Sequence, residues 1–331
     1  MDLSTTFIGL ELPHPFVAGA SPLGDTIERV RELEQAGCAM IVLRSLFEEQ
    51  IDQEARAHLR AATLHAESHG EAQSYLPEPA GFVFGPDEYI AHVTAVKAAV
   101  AMPVVASLNG RTRGGWIDYA RRIEDAGADA LELNLYDVVT DPLRSCADVE
   151  EELVGVVAAV THAVALPVAV KLSPFHTSLP HLARRMQAAG AAGFVLFNRF
   201  FEPDLDVEAL EVHTHMRLST SRELGLRLRW LAVLSGTVGA DLAVTGGVHT
   251  VHDAIKAMMC GAGAVQLVAS LIQNGTGRID ELRRELAAWL EEHGYTSLRQ
   301  LRGSMDITRA PDPHAYERAN YVHMLQTYRL D

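Results

Sequence analysis

The sequence predicts an α/β protein folded as a (β/α)8 TIM barrel, with a long insertion after the second strand and a helical tail at the C-terminus. Three observations carry that expectation. A motif of helix end, small-residue turn and buried strand occurs four times, over residues 35–45, 125–134, 188–198 and 260–270. A second strand type, in which a proline or aspartate leads into β-branched and small apolar residues, alternates with it over residues 15–20, 103–109, 167–172 and 241–247. Eight strand–helix units in 331 residues fit a closed barrel better than an open doubly wound sheet.

In chain order, strands are expected to begin near residues 16, 39, 103, 130, 167, 193, 241 and 263. The fourth organises the rest. Residues 130–136, Ala-Leu-Glu-Leu-Asn-Leu-Tyr, form an apolar run too short for an ordinary helix, bounded by Gly127 and by Asp141-Pro142. It presents an amide, Asn134, at its end. Helical periodicity fills gaps between strands over residues 116–126, 148–160, 182–189 and 251–259. Residues 46–85 far exceed the usual βα loop of ~2 to 6 residues and read as a cover or an interface. Residues 200–220 form a second polar insertion. The tail over residues 293–331 is helical in part, at Ser297-Leu-Arg-Gln-Leu-Arg302, and packs around the barrel or in a subunit contact. The whole of residues 1–331 is expected to form one domain.

Composition limits the function. Hydrophobic residues make up 48% and aromatics 6%, which suits a core of Ala, Val and Leu packed helix on strand. A net charge of −15 argues against nucleic acid as a partner, because phosphate binding requires a clustered basic surface. Cys38, Cys146 and Cys260 are odd in number and far apart, giving neither a disulfide framework nor a metal spacing and fitting a reducing cytoplasm. Residues 1–6 lack the basic and apolar regions of a signal peptide, and no window reaches the ~18 to 20 uncharged apolar residues of a membrane span. No membrane association is expected.

In such a barrel the C-terminal strand tips face the active site. Here the tips carry Ala20 and Ser21, Arg44 and Ser45, Asn109, Asn134, Lys171 and Ser173, Asn198 and Arg199, Thr245, Gly246 and Gly247, and Ala269 and Ser270. The set is rich in amides and poor in acids, so it lacks the carboxylate pair or the nucleophile and base that a hydrolase requires. Thr245-Gly246-Gly247 and Ala269-Ser270 place small residues where barrels hold phosphate through backbone N–H groups, although a Thr-Gly-Gly turn is also a tight strand exit. Lys171 lies in Val-Ala-Val-Lys-Leu and must find an anion or an electron-rich partner, unless its ammonium reaches solvent at the barrel mouth. A lysine and amides around a planar ligand, with a phosphate cradle on the last two strands, point to FMN.

These residues resemble a known family. In order and spacing, Pro15-Phe to Ala20-Ser21, Leu43-Arg-Ser45, Glu132-Leu-Asn-Leu135, Val170-Lys-Leu-Ser-Pro174, Thr245-Gly-Gly247 and Cys260-Gly-Ala262 resemble the FMN-dependent dihydroorotate dehydrogenases of pyrimidine biosynthesis, over most of residues 6–275. The resemblance implies that Lys171 lies near flavin N1, that Asn134 and Asn198 contact flavin and substrate, and that Arg199 belongs to the substrate side. It likewise assigns Ala20, Ser21, Arg44, Ser45 and Asn109 to the flavin, and Thr245, Gly246, Gly247, Ala269 and Ser270 to its phosphate. Three departures stand out. Asp137 occupies the position of the family's Cys or Ser base, Val139 replaces a substrate asparagine, and Arg44 stands where a lysine is usual. Arg44 keeps the cation, though with a planar fork. A second substrate asparagine has no counterpart, since residues 65–85 contain no Asn. The chain thus resembles a paralogue that keeps the flavin and has altered the substrate side.

Other candidates are weaker. Cys146 reads as a free cysteine opening the next helix, since a reactive thiol needs an activating neighbour. His58, His65 and His69, and the pair His213 and His215, read as solvated histidines rather than metal ligands. Arg111 and Arg113 either contact an anionic substrate or belong to a solvated loop. The expected protein is a cytoplasmic FMN oxidoreductase acting on a CH–CH bond, with Asp137 as base and Lys171 stabilising the reduced ring. Its expected substrate is dihydroorotate, and its partners a soluble electron acceptor or redox protein and a second copy in a homodimer. Two alternatives are an FMN enzyme acting on another cyclic carbonyl compound and a non-catalytic, electron-relaying subunit.

Overall fold

Eight parallel strands close into a barrel and follow one another around it in chain order. The computed structural model describes residues 1–48, 50, 84–109, 116–200, 202–213, 217–327 and 329. Two short strands come first, β1 (Thr5–Phe7) and β2 (Leu10–Leu12), paired as an antiparallel hairpin. The first six barrel strands are β3 (Phe16–Ala18), β4 (Ile41–Phe47), β5 (Val104–Asn109), β6 (Ala130–Asn134), β7 (Val168–Leu172) and β8 (Gly193–Leu196). Within the insertion that follows, β9 (Asp204–Asp206) and β10 (Glu211–His213) form a second hairpin, and β11 (Asp241–Thr245) and β12 (Ala264–Leu267) complete the barrel. The fold is a (β/α)8 barrel, as the alternating motifs predict, and the largest discrepancy in a strand start is at β4, expected near 39 and found at 41.

The helices fall where the periodicity places them, with ends set by local chemistry. Periodicity over residues 148–160 extends to Cys146–Ala163, because the Ser145 side chain accepts a hydrogen bond from Asp148 N at 3.1 Å and caps an earlier start. The helix expected over 182–189 begins at Leu179, with Pro180 in its first turn, where the missing N–H costs nothing. In the tail, the helices Leu298–Leu301 and Arg318–Thr327 bear out the helical expectation. Residues 51–83, which make up most of the first insertion, lie outside the described residues, as do Arg111, Arg113, His58, His65, His69 and His215.

Alternation along the strands divides the core in two. Leu131 and Leu133 of β6, Val168, Val170 and Leu172 of β7, and Phe194 and Leu196 of β8 point outward and pack against the helices. Ala130, Ala169, Val195, Ala243 and Ala264 point inward. These small residues leave space at the N-terminal end, and the β1–β2 hairpin fills it with Phe7, Ile8 and Leu12, each at most 2% exposed. The plug fits closely: a Cβ on Gly193 would lie 2.6 Å from the Ile8 side chain.

Candidate active site

The inward faces of β6 and β7 continue upward from alanine to charge. Alternation puts Glu132 and Asn134 above Ala130, and Lys171 above Ala169. The strand register pairs Glu132 with Ala169 and Asn134 with Lys171. Lys171 Nζ lies 3.2 Å from Glu132 Oε1, and Gln266 of β12 donates through Nε2 to Glu132 Oε2 at 2.8 Å. Glu132 is 1% exposed and Lys171 8%. The lysine therefore finds its anion inside the barrel rather than reaching open solvent. Sequence reading missed Glu132 and Gln266, although Glu132 stands two residues before Asn134 and so on the same strand face.

Above this pair lie the predicted tip residues. Asn109 pairs in register with Asn134 and is buried. Asn198 is buried and donates through Nδ2 to the Lys171 carbonyl at 3.3 Å. Ser45 and Ser107 hydroxyls lie 2.8 Å apart, and Tyr89 OH donates to the Ser107 carbonyl while accepting from its N–H. Asn134 Oδ1 and Ser270 Oγ are buried without a hydrogen-bond partner among the described residues. Such atoms cost roughly 1 to 3 kcal/mol each unless a ligand or water satisfies them.

Other predicted residues have partners of their own. Ser21 Oγ accepts from Leu23 N at 3.4 Å, capping a short 3₁₀ turn next to Ala20. Arg44 Nε pairs with Asp25 Oδ1 at 2.8 Å, and burial holds the Asp25 carboxyl above its ordinary value despite that cation. Arg199 pairs with Glu223 at 2.6 Å and donates to the Arg217 carbonyl. Gly246 and Gly247 both have positive φ, +78° and +79°. A Cβ at either would come within 2.8 Å of the chain itself, of the Arg227 guanidinium or of Leu224 N respectively. Buried Arg227 donates to the Thr245 and Glu223 carbonyls, so the Thr-Gly-Gly turn is locked to the preceding helix, Leu224–Ser235. Ala269 and Ser270 open the short helix Ala269–Asn274.

Asp137 lies away from the barrel interior, in the loop after β6. It lines a cavity of about 440 Å³ together with Tyr136, Ser173, Phe175, His176 and Phe200, and its carboxylate lies 3.7 Å from Arg144 Nη1. His176 was not singled out in the sequence. Burial holds its imidazole below the ordinary histidine value, against the pull of Glu150, so the neutral form is favoured. Val139 also lines this cavity. Cys146 is exposed at the start of its helix, whereas Cys38 and Cys260 are buried, which pushes their thiols up to about 11. His213 contacts Asp206 at 3.4 Å across the second hairpin.

A family model described as dihydroorotate dehydrogenase matches residues 80–290. A putative dihydroorotate dehydrogenase A (fumarate) of Aeropyrum pernix is 26% identical, over 91% of this chain and 97% of its own length. The catalytic subunit of dihydroorotate dehydrogenase B (NAD(+)) of Thermoplasma volcanium is 24% identical, over 91% and 98%. The NAD-dependent dihydropyrimidine dehydrogenase subunit PreA of Escherichia coli is 23% identical, over 91% and 76%. Among the described residues no helix is long and apolar enough to cross a membrane. The family model spans well over half of the chain, so the chain belongs to the dihydroorotate dehydrogenase family, oxidoreductases acting on CH–CH bonds.

Proposed function

We propose that the chain is an FMN-dependent oxidoreductase that oxidises dihydroorotate, or a related cyclic carbonyl compound, at a ring CH–CH bond. One observation carries this reading. A buried lysine and a half-buried amide lie side by side in register at the barrel mouth, and the amide oxygen, itself buried, has no hydrogen-bond partner among the described residues. The donor set suits FMN: Asn134 Oδ1 lacks a donor such as a ring N–H, and the Ser270 hydroxyl lacks an acceptor such as a phosphate oxygen. Bound FMN supplies a hydride acceptor.

The chain's own residues do the rest. Lys171 holds positive charge at the barrel mouth, tempered by Glu132, and stabilises negative charge on an electron-rich ring edge. Ala20, Ser21, Arg44, Ser45 and Asn109 would hold the ring system and its side chain, and Thr245, Gly246, Gly247, Ala269 and Ser270 the phosphate. Asn134, Asn198 and Arg199 orient substrate. Asp137, by position, takes the proton from the carbon next to the one that loses hydride. A soluble acceptor or redox protein then takes the electrons, and the assembly we expect is a homodimer.

A second substrate is favoured by one observation: at the position of the family's base stands a carboxylate ion-paired to Arg144, in a cavity that also contains Val139. Anaerobic titration of FMN-loaded protein tests both readings. Bleaching of the flavin band by dihydroorotate supports the first. A yellow protein that dihydroorotate leaves unchanged, but that another dihydropyrimidine bleaches, supports the second. Protein that stays colourless after incubation with FMN would falsify the cofactor reading altogether.

A further inference from the structure

Five of the described cations at the C-terminal end of the barrel are already committed. Following each strand tip through its loop to the next α-helix, the described residues include six: Arg44, Arg144, Lys171, Arg199, Arg217 and Arg222, the last exposed and lining a neighbouring cavity with Arg199, Glu202 and Glu223 rather than the one beside Asp137. Arg44 pairs with Asp25, and Arg144 with Asp137 and Glu152. Lys171 pairs with Glu132, Arg199 with Glu223, and Arg217 with Asp204 at 3.7 Å. Arg111 and Arg113 lie outside the described residues, and the experiment below reads their effect as well.

The cavity beside Asp137 has the complementary character. Among the described residues its lining includes no lysine or arginine. The ionisable side chains on it are the Asp137 carboxylate, Tyr136 and a histidine that burial keeps neutral, and Glu150 adds negative potential at that histidine. Its walls are apolar and open. Phe175 and Phe200 meet at 4.7 Å between ring centroids, and Phe175 is 78% exposed and Val138 61%. Exposed aromatic and branched surface around a concave site gains most from being covered by a flat apolar face. The polar groups facing the same space, Ser173, Tyr136 and His176, offer neutral hydrogen bonds to ring carbonyl and N–H groups.

A carboxylate entering this cavity would lose its hydration without meeting a lysine or arginine on its described walls, and would face Asp137. Resting on the second reading, in which the substrate is a cyclic carbonyl compound other than dihydroorotate, and on this cavity receiving it, we infer that the enzyme takes an uncharged planar ring with carbonyl and N–H edges and discriminates against the same ring bearing a carboxylate. The specificity-determining residues are Asp137, which repels the anion, and Val139, which offers an apolar wall where a polar contact to a charged substrate would otherwise stand.

Uracil and orotate make a matched pair for the test, since they differ by one ring carboxylate. Calorimetric titration of the full chain, with and without FMN, is expected to give uracil a Kd at least about tenfold below that of orotate, the size of effect that a like charge without compensation produces. Val139→Arg, which adds an unpaired cation on the wall, is expected to narrow or reverse the ratio, and Asp137→Asn to narrow it. Orotate binding as tightly as uracil, or binding of neither ring, overturns the inference; so does a ratio that neither variant moves. The cofactor reading fails separately: a protein that never turns yellow with FMN but still prefers uracil leaves the specificity standing and removes the flavin.

Discussion

The two ends of the barrel are built to different rules. At the N-terminal end the β1–β2 hairpin closes the bore, and the polar groups that anchor the hairpin are matched. Ile8 N donates to Asp241 Oδ2 at 2.8 Å, and Arg302 pairs with Asp241 Oδ1 at 2.9 Å while donating to the carbonyls of Thr6 and Gly261. At the C-terminal end Asn134 Oδ1 and Ser270 Oγ are buried without partners among the described residues, and apolar residues lie open around the cavity beside Asp137. Satisfied groups hold a fold together, whereas unsatisfied ones are tolerated where something else is to bind. The difference assigns stability to the closed end and recognition to the open one, and it can be tested residue by residue.

The Lys171–Glu132 pair should break the division most visibly, because it serves both ends. Lys171→Met leaves a carboxylate 1% exposed without its cation, and breaking such a buried pair costs about 3 to 5 kcal/mol, read as a lower urea midpoint. The rate of flavin reduction by substrate should fall by roughly 10²- to 10³-fold, the usual cost of removing one electrostatic stabiliser. Adding Glu132→Gln separates the two effects: stability should largely return and the rate should not. Recovery of both would place the lysine in the scaffold alone.

Arg302→Ala is the counterpart at the closed end. It removes the ion pair to Asp241 and the donors to two carbonyls, and should cost about 2 to 3 kcal/mol of stability. FMN affinity at a temperature where the variant is folded should stay within twofold of the parent, as a roughly unchanged site requires. A large loss of affinity would mean that the ends are coupled through the strands.

Asn134→Leu should behave in the opposite way. The variant removes an acceptor that has no donor among the described residues, so the unloaded protein should be no less stable, while FMN affinity should fall about tenfold for one lost hydrogen bond. Unchanged affinity with lower stability would show that Asn134 belongs to the framework.

The sequence revealed the barrel because strand and helix periodicities are local, and each repeat carries its own turn glycine and apolar run. Gly37, Gly127, Gly190 and Gly261 all adopt positive φ after their helices. It revealed the tip residues for the same reason: a strand's end and its facing side can be counted from the pattern. The Glu132–Lys171–Gln266 contacts could not be read, because they join three strands whose separation in space depends on closure. Nor could the plug, since the brief alternation of residues 5–12 gives no sign that it enters the bore. Arg227 shows the limit most clearly. It locks the Thr-Gly-Gly turn from a helix, while the glycines alone are equally compatible with ligand approach and with close packing.

Asp253 puts the smallest effect where the division predicts none of the recognition. It sits at the open end, in the first turn of the helix Val251–Met259, yet its carboxylate is fully engaged, accepting from the Ser221 hydroxyl and from the N–H groups of His249 and Thr250. Burial raises its pKa, but those hydrogen bonds outweigh it and hold the group below the ordinary carboxylate value. A depressed folded-state value means that the stabilisation is fully present above the unfolded value of about 3.9 and is lost as pH falls through the folded one. Asp253→Asn should therefore cost about 1 kcal/mol at pH 7, the worth of a good helix cap, and the difference between variant and parent should shrink as pH drops below about 4. FMN binding at pH 7 should not change. A variant whose deficit is constant from pH 7 to pH 3 would show that the hydrogen bonds, and not the charge, hold this helix end; a loss of FMN would extend the recognition surface to the Thr250 cap.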